Sequence, residues 1–210
     1  MTELTLQLIE AARAMSPWEL AAVLLALAYL VLAIREHIAC WIAAILSTSI
    51  YIVLMFQVGL YMESALQLFY IAMAVYGWYS WTHGEGPNHS LQVSSWPPVR
   101  HIGPISLILI LSLGSGYLLS SFSAAAMPYL DSFTTWGAIV TTWLVARKII
   151  QNWHYWFIID TVSVYLYISR GLWLTALLFI IYLVLIVIGY REWRKSLIAA
   201  HAQSRAQAHA

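Results

Sequence analysis

Charge is scarce in this sequence: aspartate, glutamate, lysine and arginine make up 9% of 210 residues, against 62% hydrophobic residues and a mean hydropathy of +0.77. No soluble globular domain of ordinary composition carries so little, so the chain reads as an all-α polytopic membrane protein. Cysteine is nearly absent; the one residue, Cys40, sits in an apolar setting and excludes a disulfide framework and most cysteine-based metal or redox sites. The net charge of +1 points to no charged partner, and no nucleic acid is expected. HExxH, GxSxG and glycine-rich phosphate loops are all missing, and His83 and His89 lack ligand-like companions. The expectation is therefore no enzyme, no metal and no cofactor. The N-terminus also lacks the basic region of a cleavable signal, so residues 1–16 read as a short polar, surface-lying segment.

What is present is a series of apolar runs. Runs of spanning length occur near residues 18–34, 38–56, 62–81, 102–122, 133–146, 153–168 and 173–190, which predicts seven transmembrane helices in the lipid bilayer. The turns between them are short and polar. Only residues 82–100 form a long loop, rich in glycine and proline, and the tail from 194 to 210 is expected to be partly disordered. With the N-terminus outside, the inner loops hold Arg35, Arg100, Arg147, Lys148, Arg191, Arg194, Lys195 and Arg205, leaving only Arg13 and Arg170 outside. That asymmetry predicts an outer N-terminus, a cytoplasmic loop at 82–100 and a cytoplasmic tail.

The chain also repeats itself. A shift of 112 residues aligns 35–81 with 147–193 without a gap and with 11 of 47 positions identical, among them Arg35/Arg147, Trp41/Trp153, Gly59/Gly171, Tyr70/Tyr182, Gly77/Gly189 and Trp81/Trp193. The plan is then a first three-helix repeat at 17–81, a linker helix at 101–122 and a second repeat at 129–193. One intervening helix makes the two repeats parallel, an arrangement found in transporters whose substrate sits mid-membrane at the repeat interface.

Residues 152–167 carry the densest chemistry. Asn152, Trp153, Trp156, Asp160, Ser163 and Tyr167 fall on one helical face, and a carboxylate half-way along a span normally faces a wet cavity or the protein interior. In the first repeat Glu63, Gln67 and Tyr70 share a face of the third helix. Together these nine residues are the candidate substrate-binding set. Blander readings stand beside them. Trp153 could be an interfacial tryptophan, as Trp18, Trp41, Trp173 and Trp193 at span ends are expected to be. The paired tyrosines Tyr70 and Tyr182 suit packing, and Glu19, Asp131 and Glu63 stand at helix starts, where a carboxylate complements the dipole.

The segment GLYMESALQLFYIAMAVYGWYSW at 59–81, Asp131-Ser132, and RKIIQNWHYWFIIDTVSVYLYISRGLW from Arg147 onward resemble the Pnu-type vitamin transporter family, over most of residues 18–195. The resemblance implies a three-plus-one-plus-three helix plan in a bacterial inner membrane. It implies uptake by facilitated diffusion and trapping by cytoplasmic phosphorylation, feeding NAD biosynthesis when the cargo is nicotinamide riboside. Carried across by motif, Asn152, Trp153, Trp156, Asp160, Gln67 and Tyr70 would contact that cargo. Nicotinamide riboside and thiamine both present a cationic aromatic ring suited to tryptophan faces, and Glu63 keeps thiamine open. A sugar transporter of the same plan is a further alternative, although Pro17 and Pro128 lie at helix starts rather than at a mid-helix hinge. Homo-oligomerisation is compatible with the composition, and no helix face singles itself out for it.

Overall fold

The computed structural model describes residues 15–57, 61–84, 90–122 and 127–208; the N-terminal polar segment otherwise lies outside them. Among the described residues the chain forms seven α-helices: α1 Pro17–Ile34, α2 Ala39–Gln57, α3 Tyr61–Thr82, α4 Ile102–Phe122, α5 Pro128–Ala146, α6 Asn152–Ser169 and α7 Trp173–Ala208. Helix α1 starts where Ser16 Oγ accepts the Glu19 backbone N–H at 3.1 Å and Pro17 takes the first helical position. Proline also opens α5, at Pro128 rather than near residue 133, because its fixed φ suits a first turn that includes Asp131. The expected disordered tail is instead a continuation of α7 to Ala208, through an alanine- and glutamine-rich stretch of good helix formers.

Four stretches, Pro17–Ile34, Ala39–Gln57, Pro98–Phe122 and Trp173–Gln203, are long and apolar enough to cross a membrane by length and composition. The other three helices carry polar groups such as Gln67, Thr134 and Asp160, which face inward. Helix α1 packs on α2, α2 on α3, α3 on α5, α5 on α6, α6 on α7, and α7 back on α1. Six helices thus close a ring of two three-helix repeats. The linker α4 stays outside it against α5, with Ile110, Leu113 and Phe122 exposed as a lipid-facing side chain would be.

One end of this ring is tied together by contacts that each repeat makes into the other. Both α1 and α5 end in the same motif: Glu36 N–H bonds to Ala33 O and His37 N–H to Leu32 O, while Lys148 N–H bonds to Val145 O and Ile149 N–H to Leu144 O. This is a Schellman cap, whose left-handed position is ordinarily glycine, as it is at Gly171 after α6. Here that position holds Glu36 (φ 55°) and Lys148 (φ 49°), which are 112 residues apart and therefore equivalent in the repeat. The strained backbones bring the two side chains together, Lys148 Nζ donating to Glu36 Oε2 at 2.8 Å. The ammonium also lies 4.5 Å above the Trp81 ring.

The tryptophans complete the reciprocity. Trp81 Nε1 donates to Val145 O at 3.2 Å, and its repeat partner Trp193 Nε1 donates to Ala33 O at 3.0 Å. Each indole therefore uses a spare lone pair on a capping carbonyl of the other repeat. Trp41 and Trp153 stand edge-on to Trp81 and Trp193, with centroids 5.3 Å apart in both pairs, and Trp81 meets Trp193 at 6.1 Å. Gly77 and Gly189 make room: a Cβ there would come within 2.3 Å of the Trp41 ring and 2.4 Å of the Trp153 ring. Trp41 and Trp193 are thus buried core residues and not the interfacial belt expected from their place at span ends. The long loop is more than a connector as well. Ser94 pairs with Lys148 O and Ile150 N–H, and Gln151 Nε2 donates to Ser95 Oγ and Trp96 O, so the loop clamps the Lys148 turn.

A buried charge left alone costs more than a pair removed together. Glu36→Gln should therefore lower stability by about 1–3 kcal/mol, and adding Lys148→Met should recover part of the loss. Thermal unfolding of the detergent-purified single and double variants checks this.

Candidate functional site: a cavity between the repeats

Between the repeats lies a cavity of about 830 Å3, of the size that holds a small-molecule ligand. All six ring helices contribute to its wall and α4 does not. Helix α1 supplies Glu19 and Tyr29, α2 Tyr51, α3 Gln67 and Tyr70, α5 Thr134 and Thr135, and α7 Phe179 and Tyr182. The face of α6 supplies Trp153, Trp156, Ile159, Asp160, Ser163 and Tyr167. Gly137 of α5 allows α6 to come close, since a Cβ there would press on Ile159 at 2.9 Å.

Seven of the nine residues picked out in the sequence meet at this wall, and Asn152 does not. Asn152 is fully buried at the first turn of α6, where Nδ2 donates to Ile149 O at 2.7 Å, and it does not line the cavity. Its position at the helix start turns the amide back toward the preceding turn. Glu63 belongs to α3, but its side chain lies outside the described residues. Trp153 lines the cavity at its closed end yet is only 3% exposed, wedged between Gly189 and Trp193. Its Nε1 has no partner, and neither has that of its repeat counterpart Trp41, so the orphaned N–H belongs to the packing scheme of both repeats. Trp156, one turn further along, is half-buried at the wall.

Asp160 is the electrostatic centre of the wall. It is 4% exposed, and among the described residues no side chain donates to its carboxylate. Among the described residues no lysine, arginine or histidine lines the cavity, and the ionisable groups on its wall are Glu19, Asp160 and five tyrosines. Glu19 stands in the first turn of α1, as expected of a carboxylate that complements the dipole, but the side-chain cap is Ser16 Oγ and Glu19 also lines the cavity. Its repeat equivalent Asp131 is held by Arg170 Nη2 at 2.5 Å instead and stays off the wall. Among the described residues no group of three His, Cys, Asp or Glu is placed to hold a metal ion.

Several wall residues were not singled out in the sequence. The repeat register contains the signal for three of them: Tyr51 stands opposite Ser163, Phe179 opposite Gln67 and Tyr182 opposite Tyr70, and both members of each pair reach the cavity. Tyr29 and Glu19 have no such partner on the wall.

A closed ring of two parallel three-helix repeats around a polar-walled cavity, with a linker helix outside, defines a membrane carrier. The chain belongs to the nicotinamide mononucleotide transporter family, whose profile matches residues 16–195. It is similar to the nicotinamide riboside transporter PnuC of Escherichia coli, with 26% identity over 203 residues, covering 85% of this chain and 84% of that protein. The riboflavin/roseoflavin transporter RibM of Streptomyces davaonensis is 25% identical over 128 residues, 59% of each chain. In fold, the chain matches the crystal structure of the vitamin B3 transporter PnuC with a TM-score of 0.70 at 20% identity, covering 93% of this chain and 88% of that one. It is a multi-pass vitamin transporter of the membrane and not an enzyme.

The two α6 tryptophans should separate on mutation. Trp153→Ala removes a ring from the four-indole core and should cost about 3–5 kcal/mol of stability. Trp156→Ala should leave thermal unfolding close to wild type and weaken ligand binding at least ten-fold, as read by calorimetry against an unfolding scan of the same sample.

Proposed function

We propose that the protein carries a cationic heteroaromatic vitamin, nicotinamide riboside first, by facilitated diffusion through alternating access. The observation that carries this is the wall chemistry: an indole face at Trp156, a buried carboxylate at Asp160 and, among the described residues, no basic side chain on the lining. A pyridinium ring stacks on tryptophan with about 0.5–2 kcal/mol of attraction and gains further from a facing carboxylate. Ser163, Tyr167, Gln67 and Tyr70 offer hydroxyl and amide partners for a ribose. The same wall argues for the riboside over its mononucleotide, because a phosphate would enter beside two carboxylates with no cation to balance it.

Thiamine is the second reading. It satisfies the same pairing of cationic ring and aromatic wall, and an added carboxylate at Glu63 would favour its amine-bearing ring. We further propose that the membrane is the bacterial inner membrane, with the N-terminus outside and the loop at 82–100 and the end of α7 in the cytoplasm, on the arginine and lysine distribution.

The test is calorimetry of the purified protein with nicotinamide riboside, nicotinamide mononucleotide, thiamine and glucose, paired with uptake into proteoliposomes lacking ATP and ion gradients. Binding and uptake of the riboside, with none of the mononucleotide or glucose, is the expected result. Asp160→Ala should abolish both in a protein that still folds. Thiamine binding alone would move the assignment to the second reading, and unchanged transport by Asp160→Ala would overturn the site.

A further inference from the structure

Glu19 has no role in holding the fold that the contacts reveal. The cap it was expected to provide comes from Ser16 Oγ, and no cation pairs with its carboxylate among the described residues. Its repeat equivalent shows what a structural carboxylate at this position looks like: Asp131 is locked to Arg170 and kept off the cavity wall. The register explains the difference, because the residue opposite Arg170 in the first repeat is Val58. Glu19 is left exposed, lining the cavity at the start of α1.

Position decides what such a charge can do. Equivalence in the repeat sets Glu19 at the membrane level of Asp131, and Asp131 meets Arg170 just past the end of α6. Asp160 lies ten residues earlier on that helix, so Glu19 stands roughly 15 Å from the Asp160 level along the helix axes at 1.5 Å per residue. That separation exceeds the screening length of about 8 Å at physiological ionic strength. Glu19 is therefore set apart from the level of Asp160 and Trp156, on the stretch of the cavity wall nearer the start of α1. The opposite end is shut by the four tryptophans and the Glu36–Lys148 pair.

We infer that Glu19 is a specificity-determining residue of the cavity mouth, an electrostatic capture point that speeds entry of cationic substrates over uncharged ones of the same shape. It works in series with the buried, unpartnered Asp160. A rim charge of this kind changes association rate and salt dependence more than final affinity. The inference rests on the proposed transport of a cationic heteroaromatic substrate and adds to it a separate residue for the entry step.

The test uses two probes that differ in charge and little else: nicotinamide riboside, a cation, and its dihydro form, which keeps the ribose and carboxamide but is uncharged. Initial uptake rates are measured in proteoliposomes for wild type, Glu19→Gln and Glu19→Asp, at low and at physiological ionic strength, alongside equilibrium binding of the cation. Glu19→Gln should lower kcat/KM for the cation by about two- to five-fold at low salt and flatten its salt dependence, with a smaller change in Kd. Uptake of the dihydro compound should not change, and Glu19→Asp should restore most of the rate. Equal losses on both probes, or no loss on the cation, would overturn the inference while leaving the transport reading intact. Wild-type protein that carries neither probe overturns the transport reading, and this inference with it.

Discussion

The structure turns on two residues that occupy the wrong kind of backbone for their side chains. Glu36 and Lys148 sit where a Schellman cap wants glycine, each paying about 1 kcal/mol or more for a left-handed conformation. Glycine would relieve the strain and remove the one ion pair seen between the repeats among the described residues. A side chain leaving the end of α1 and another leaving the end of α5 meet at 2.8 Å because equivalent turns face each other across the axis that relates the repeats. The paired charges are opposite although the flanking Arg35/Arg147, Ile38/Ile150 and Trp41/Trp153 are identical. Duplication alone would have put like charges there, and two glutamates or two lysines at that distance would push the repeats apart.

Around that pair the remaining contacts follow a single rule: each repeat is completed by the other. The capping carbonyls of Ala33 and Val145 already accept a backbone N–H, and each accepts an indole N–H from the opposite repeat as well. Gly77 and Gly189 exist to seat Trp41 and Trp153, which in turn fix Trp81 and Trp193. The result is a tightly packed indole layer between the main cavity and a separate cleft of about 360 Å3 lined by Glu36, Trp81 and Lys148. The cavity extends away from this layer, where Tyr51, Tyr70, Tyr167 and Tyr182 line the wall and offer hydroxyls.

Helix number, order and the three-plus-one-plus-three plan were legible in the sequence because spanning length and the 112-residue register are properties of the chain itself. The α6 stripe was legible for the same reason, since helical spacing alone aligns Trp156, Asp160, Ser163 and Tyr167. Contacts between helices were not. Trp41 and Trp193 look like interfacial tryptophans when only their distance from a span end is known, and burial at a repeat axis has no one-dimensional signature. Glu19 and Asp131 are alike in sequence and differ in role because Arg170 is present in one turn and Val58 in the other. Asn152 shares the α6 stripe by angle, yet its place in the first turn gives it a backbone carbonyl to bond instead of a ligand. The helical end of α7 was hidden by composition, since an alanine- and glutamine-rich tail can be helical or irregular and local sequence does not decide between them.

The asymmetry of the wall then has a physical explanation in the symmetry of the scaffold. Reciprocal contacts at the closed end require the repeats to stay alike there, so Trp, Gly and the capping motif persist in both. Along the cavity the copies differ at the positions that carry the chemistry: Ala44 and Thr48 stand where the second repeat has Trp156 and Asp160, while Tyr70 and Tyr182 stay alike. A single buried carboxylate in a cavity of this size is tolerable only if something compensates it, and no protein cation is within the wall to do so. Had the divergence been symmetric, two carboxylates would face each other across the cavity and repel. On the proposed reading, one carboxylate beside one indole leaves the compensating charge to a cationic cargo, so that the sign of the ligand's charge favours occupancy of the site.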